Sequence, residues 1–150
     1  MSGLEIPLGV ITIVQFCREI ISFTQSVIDG IKDAPKDFQL VQVEITCLLG
    51  TIEYVKSLSC MSLIQPSGVI ELYGMNGNTG LMAFVRRYLD ELESTIQPKE
   101  RKTYDGKSPK WEASWQTLSW PLKRDRVLRI LREIQGIRQK ISFILVQEMR

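Results

Sequence analysis

No histidine occurs anywhere in the 150 residues. That absence removes His-based triads, histidine-ligated metals and the side chain most often used as a general acid or base near neutral pH. The carboxylates are scattered along helical surfaces rather than paired, so enzyme chemistry is not expected, and neither is a metal or cofactor. Cysteine is scarce as well. Cys17, Cys47 and Cys60 form an odd set with no close spacing, which argues against a disulfide framework or a zinc site. Cys17 and Cys47 fall on apolar helical lines, so both are expected as reduced core thiols in a cytoplasmic, reducing compartment. The N-terminal charge-free run, Ile6 to Cys17, reaches about 18 Å at about 1.5 Å per residue. A hydrocarbon core is about 30 Å thick, so the run is too short for an obligate transmembrane helix. No basic segment precedes it, and Glu5 stands where a secretory signal would carry positive charge.

What the chain does have is helical periodicity, in four segments. In the first, Ile6, Val10, Ile13, Cys17, Ile20, Thr24, Val27 and Ile31 form one line, with Val14, Ile21 and Ile28 beside it. The opposite line reads Thr12, Gln15, Glu19, Ser22 and Ser26, an ordinary amphipathic pattern. The first turns differ. There Leu4, Leu8 and Ile11 project on the side that later becomes polar, so the beginning is apolar all round except for Glu5. Such a helix must be buried on every side or meet something other than water. Burial in a core is the simpler outcome. Membrane insertion under some condition is the other, with Leu4, Glu5, Ile6, Leu8, Val10, Ile11, Ile13 and Val14 as the inserting residues. Pro7 suits a first helical position, and the helix is expected to run to about Lys32.

Asp33 is placed to cap a second helix, with Pro35 close behind it. There Phe38, Val41, Ile45, Leu48, Ile52, Val55 and Leu58 recur at spacings of three and four, which is expected to make this the cleanest amphipathic helix in the chain. The short link makes the first two helices antiparallel neighbours. From Ser59 to Gly80 the pattern weakens among Pro66, Gly68, Gly74, Gly77 and Gly80, and the stretch is expected to be mostly connection. These glycines are not a phosphate loop, because no Gly-Lys-Ser/Thr follows and no strand precedes them. A third helix is expected from Asn78 or Thr79, placing Leu81, Phe84 or Val85, Tyr88, Leu92 and Ile96 on one side until Pro98 stops it.

Residues 99 to 119 mix Lys99, Arg101 and Lys102 with a Tyr104-Asp105-Gly106 turn and a short helix opening at Ser108 and Pro109. Trp111 and Trp115 would share a face there. Base stacking beside phosphate contacts, or a membrane-interface belt, would use such a mixture. Packing of a loop onto a bundle explains it more simply. The last helix follows Trp120-Pro121 and extends to about Met149, burying Val127, Ile130, Ile134, Ile137, Ile141 and Ile144. Arg129, Arg132 and Lys140 line its opposite face, either solvated or facing anionic lipid headgroups. The fold expected is all-α: one domain over residues 1–150, an up-and-down bundle of about four main helices.

Charge is uneven along the chain. Residues 1–97 hold 6 basic and 11 acidic side chains, residues 98–150 hold 13 and 6, and the whole carries a net +2. The basic end invites an acidic partner.

Three stretches together resemble a known family. They are Met1-Ser2-Gly3-Leu4-Glu5-Ile6-Pro7-Leu8-Gly9-Val10-Ile11, the Lys32-Asp33-Ala34-Pro35-Lys36-Asp37 junction, and Trp120-Pro121-Leu122-Lys123 leading into Arg129-Ile130-Leu131-Arg132-Glu133-Ile134. They resemble the HeLo-like N-terminal domain of fungal STAND (NOD-like) receptors over the whole length, a domain similar to the four-helix executioner domain of the necroptotic pseudokinase. The resemblance implies a cell-death effector. In such an effector a downstream nucleotide-binding or repeat module clusters copies of the domain, and the N-terminal helix then permeabilises a membrane. Implied partners are other copies of itself and membrane lipids, with no nucleic acid, and the implied route is from cytoplasm to plasma membrane. A non-lytic domain that oligomerises or binds an adaptor is the alternative.

Overall fold

The computed structural model describes residues 8–30, 35–74, 79–96 and 120–149. Five helices account for nearly all of them: α1 (Leu8–Gly30), α2 (Asp37–Cys60), α3 (Pro66–Tyr73), α4 (Leu81–Ile96) and α5 (Trp120–Glu148). The all-α bundle is thus what the periodicity dictated. Helices α1, α2, α5 and α4 close a ring in that order. Their directions follow from the side chains that meet. Arg18 with Glu53, and Gln42 with Gln25, each at 2.7 Å, make α1 and α2 antiparallel. Arg129 with Glu91 and Tyr88 with Glu133 do the same for α4 and α5. Asp37 with Arg124 and Glu44 with Arg138 set α2 and α5 parallel, completing an up-and-down bundle.

The apolar lines point inward. Ile13, Cys17, Ile20, Ile45, Leu48, Ile134 and Ile141 are all buried, with every residue of the α2 line from Phe38 to Leu58. Thr24, the polar member of the α1 line, is fully buried and donates its hydroxyl to the Ile21 carbonyl at 2.9 Å, so the helix satisfies it internally. At one end of the bundle Phe38 is packed between Phe23 and Trp120, with the Trp120 ring 5.0 Å away. Trp120 Nε1 and Arg124 both donate to the Asp37 carboxylate, which ties the start of α5 to the start of α2.

Several expectations are corrected. Helix α2 begins at Asp37 behind a Pro35–Lys36 turn, three residues later than a cap at Asp33 would place it; Asp33 itself lies outside the described residues. In α4 the buried register is Met82, Val85, Leu89 and Leu92, which leaves Phe84 exposed beneath the Arg87 guanidinium. The helix opens at Leu81 rather than Thr79, whose N–H is held by the Tyr73 carbonyl. Trp111, Trp115 and the short helix expected at Ser108 lie outside the described residues.

The stretch from Ser59 to Gly80 is not mere connection, because α3 lies within it. Pro66 takes the first helical position, where its missing N–H costs nothing. Gly74 and Gly80, at φ +84 and +83, close α3 and precede α4. Gly68 is inside α3, where the helix crosses the end of α5: a Cβ there would stand 2.7 Å from Glu148 Cβ and 2.9 Å from Ile64 Cγ2. The same junction is fastened by the Gln65 N–H to Glu148 carbonyl bond at 2.6 Å. Gly50, in the middle of α2, has nothing within 4 Å of where its Cβ would be. Opposite outcomes are therefore expected from one chemical change. Gly68→Ala should destabilise by about 1–3 kcal/mol through overpacking, whereas Gly50→Ala should stabilise by about 0.5–1 kcal/mol through helix propensity. Denaturant titration of the two variants reads both signs.

Candidate functional site

The two surfaces expected to meet a membrane are the start of α1 and the basic face of α5. Leu4, Glu5 and Ile6 lie outside the described residues, and Leu8 is the first residue of α1. Val10, Ile13 and Val14 are buried in the bundle, while Ile11 is 38% exposed. The apolar beginning of α1 is thus divided. Three of its candidate residues already serve the core, and Ile11 faces water. Insertion by Val10, Ile13 or Val14 would require α1 to leave the bundle. No helix among the described residues is long and apolar enough to cross a membrane.

On α5, Arg129, Arg132 and Lys140 are all exposed as expected. They are not equivalent. Arg129 lies 3.3 Å from Glu91, a carboxylate it shares with Arg126 at 3.4 Å, so it also ties α5 to α4. Arg132 and Lys140 are in none of the ion pairs that the described residues make, so both are placed to meet an outside partner. Arg124 and Arg138 are turned sideways to α2, where they meet Asp37 at 2.8 Å and Glu44 at 3.5 Å.

Cys17 is fully buried on α1. Its thiol is pushed up to about 12, first by burial and then by the negative charge of Glu53, so it stays protonated and unreactive near neutral pH. A neutral buried thiol costs the fold nothing below pH 9. As pH rises from 9 toward 12 the unfolded chain ionises and the folded one does not, so stability falls across that window. Cys47 does not match its expected place in the core. It stands exposed on α2, and all three cysteines are free.

The reason is a second apolar line on α2 that the first one conceals. Leu40, Val43, Cys47, Gly50 and Tyr54 follow the same three-four spacing, on the side of α2 turned away from the core. Val43 is 57% and Tyr54 53% exposed. The sharpest division into apolar and polar faces consequently belongs to α4, not to α2. Between Leu40 and Tyr54 this outward face carries no charge, and Lys36, exposed one turn before Leu40, stands at its end. Among the four charged residues of α2, Asp37 and Glu44 reach sideways to α5 and Glu53 to α1. Lys56 is half-buried and off the line through Leu40, Val43, Cys47, Gly50 and Tyr54. At its Tyr54 end the face runs into a shallow groove of about 240 Å³, walled by Thr51, Tyr54, Ser142, Leu145, Val146 and Met149. Val146, 81% exposed, carries the apolar surface onto α5. The signal for this face was present in the three-four recurrence starting at Leu40, overshadowed by the stronger recurrence starting at Phe38. No family model, curated protein or solved structure matches the chain.

Proposed function

We propose that this bundle is the cell-death effector domain of a fungal NOD-like receptor, which on clustering releases its N-terminal helix into a membrane and permeabilises it. The resemblance of the N-terminal, Lys32–Asp37 and Trp120–Ile134 stretches to HeLo-like domains supplies the class. The observation that carries the mechanism is Ile11, an exposed apolar side chain on an otherwise polar outer line of α1. The bundle covers most of its surface, and an interface with lipid would cover the 38% that is left. The resting domain is cytoplasmic; its working site is the plasma membrane, its partners are other copies and anionic lipid, and its clustering module is a nucleotide-binding or repeat domain of a longer chain. The second reading, a non-lytic homotypic or adaptor-binding domain, is favoured by the uncharged outward face of α2.

Dye release from phosphatidylserine-containing vesicles, with the protein forcibly clustered by an inducible fusion, separates the two. Leakage that Ile11→Gln abolishes, with melting unchanged, supports the effector reading. Oligomers that never release dye leave the docking reading. Headgroup attraction has its own measure. Replacing Arg132 and Lys140 together by Gln should weaken vesicle binding roughly thirtyfold, at about 1 kcal/mol per basic residue, and leave the fold intact because neither makes an ion pair with the described residues. Unchanged binding would mean that both are simply solvated.

A further inference from the structure

We propose that the outward face of α2 is a homotypic docking surface, on which α2 of a second copy of this chain packs antiparallel across a two-fold axis. Charge comes first. Every other long helix turns charge outward: Arg18, Glu19 and Asp29 on α1, Arg86, Arg87 and Asp90 on α4, Arg132 and Lys140 on α5. The α2 face instead offers Leu40, Val43, Cys47, Gly50 and Tyr54 flanked by Gln39, Thr46 and Ser57, all uncharged. Its acidic neighbours are consumed by Arg18, Arg124 and Arg138 within the bundle. A face uncharged from Leu40 to Ser57, with its terminal Lys36 set opposite Met61 of the copy, meets its own copy without like-charge contact, which makes it self-complementary in a way the others are not.

Shape points to the same partner. Around a centre midway between Cys47 and Gly50, the two small residues lie equally far out, and the larger Val43 and Tyr54 lie equally far beyond them. An antiparallel copy turned about that centre sets Val43 against Tyr54, Cys47 against Gly50 and Leu40 beside Ser57. That arrangement is large and small in register along a three-four seam. Gly50 adds an independent reason. No atom of the described residues lies within 4 Å of where its Cβ would be, so no contact among them requires glycine in mid-helix. Close approach of a second helix does. Val146 extends the same apolar surface beyond Tyr54 and enlarges the area two copies would cover.

This pairing would join copies in twos within the clusters that the downstream module gathers, and it rests on that reading. The test is sedimentation equilibrium on the full chain, reduced, from micromolar to submillimolar concentration. Wild type should form a dimer. Gly50→Arg and Val43→Lys should each weaken dimerisation at least tenfold with the fold of the monomer intact, helicity being kept or, for Gly50→Arg, raised by loss of a mid-helix glycine, while Gln15→Arg, on the exposed line of α1, leaves dimerisation unaltered. Because the Gly50 position opens onto solvent, the arginine has room in the monomer. A second measurement does not depend on that variant: Gly50→Cys, mildly oxidised, should give a covalent dimer through Cys47 of one copy and position 50 of the other, and wild type should not. A monomeric wild type, or a dimer indifferent to both charged variants, overturns the proposal. So does vesicle binding by a monomer that Gly50→Arg removes, since the face would then be a lipid contact. The two readings fail separately. A monomer that leaks vesicles when forcibly clustered refutes this surface alone, and a dimer that never leaks refutes the effector alone.

Discussion

Phe38→Ala should lose about 3–5 kcal/mol of folding stability, the cost of removing a large aromatic from a packed core. For a domain whose total is about 5–15 kcal/mol, that is a loss of roughly 6–20 °C in melting temperature. Phe38 is fully buried, is the first apolar residue of α2, and lies between Phe23 of α1 and Trp120 of α5. Its neighbours cannot easily close the gap. Trp120 is held by its Nε1 donation to Asp37 at 3.3 Å, and Asp37 is held in turn by Arg124 at 2.8 Å. The polar clasp thus fixes the aromatic stack, and truncation leaves a cavity. Phe38→Leu should cost much less, because it keeps most of the volume. A loss below about 1 kcal/mol for the alanine variant, by chemical denaturation, would mean that Trp120 swings into the space and that the clasp is weak.

Much of this architecture is legible in the sequence because four long helices share one physical signal. Buried lines with a three-four spacing leave little choice about which side faces the core, and α1, α2 and α5 each bury the line they advertise. The same signal misleads where two lines compete. In α4 the rows through Phe84 and Val85 are both apolar; packing chose Val85 and Leu89, since Phe84 can lie under Arg87 at the surface and Tyr88 can reach Glu133 at the edge. In α2 the second row sent Cys47 to solvent. Helix α3 escaped notice because Pro66 and Gly68 look like breakers. Their actual roles, a first-turn proline and a close approach to Glu148, depend on α5, some eighty residues away in sequence. Of the candidate site, the exposure of Arg129, Arg132 and Lys140 was legible. The Glu91 bond to Arg129 was not, since it joins two helices.

Tethering α1 to α2 should abolish vesicle leakage, and Cys17 should report why. Val10, Ile13, Val14, Cys17, Ile20 and Val27 are the buried apolar residues of α1. At about 1.5–3 kcal/mol each they represent about 9–18 kcal/mol, comparable with the stability of a whole domain. Helix α1 therefore does not leave the bundle unaided. Lipid must take up what the core gives up, and with only about 18 Å of charge-free helix several copies must act together. The Gln42 to Gln25 bond at 2.7 Å marks where α1 and α2 can be joined. With Cys47 and Cys60 changed to Ser, Gln25→Cys and Gln42→Cys can be linked by a short bis-maleimide. The linked protein should bind vesicles but release no dye, and cleaving a reducible version of the linker should restore release. Cys17 gives the independent readout. Folded, its buried thiol, pushed up to about 12, reacts at pH 8 far more slowly than an ordinary cysteine. Once α1 is withdrawn, burial in the bundle and Glu53 no longer act on it, and Cys17, at the end of the charge-free run beside Arg18 and Glu19, comes to the membrane surface where a water-soluble reagent reaches it. Alkylation of Cys17 should then begin with leakage in the unlinked protein and stay absent in the linked one. Dye release with Cys17 still protected would mean that the membrane is breached by an intact bundle, and that α1 is a structural helix throughout.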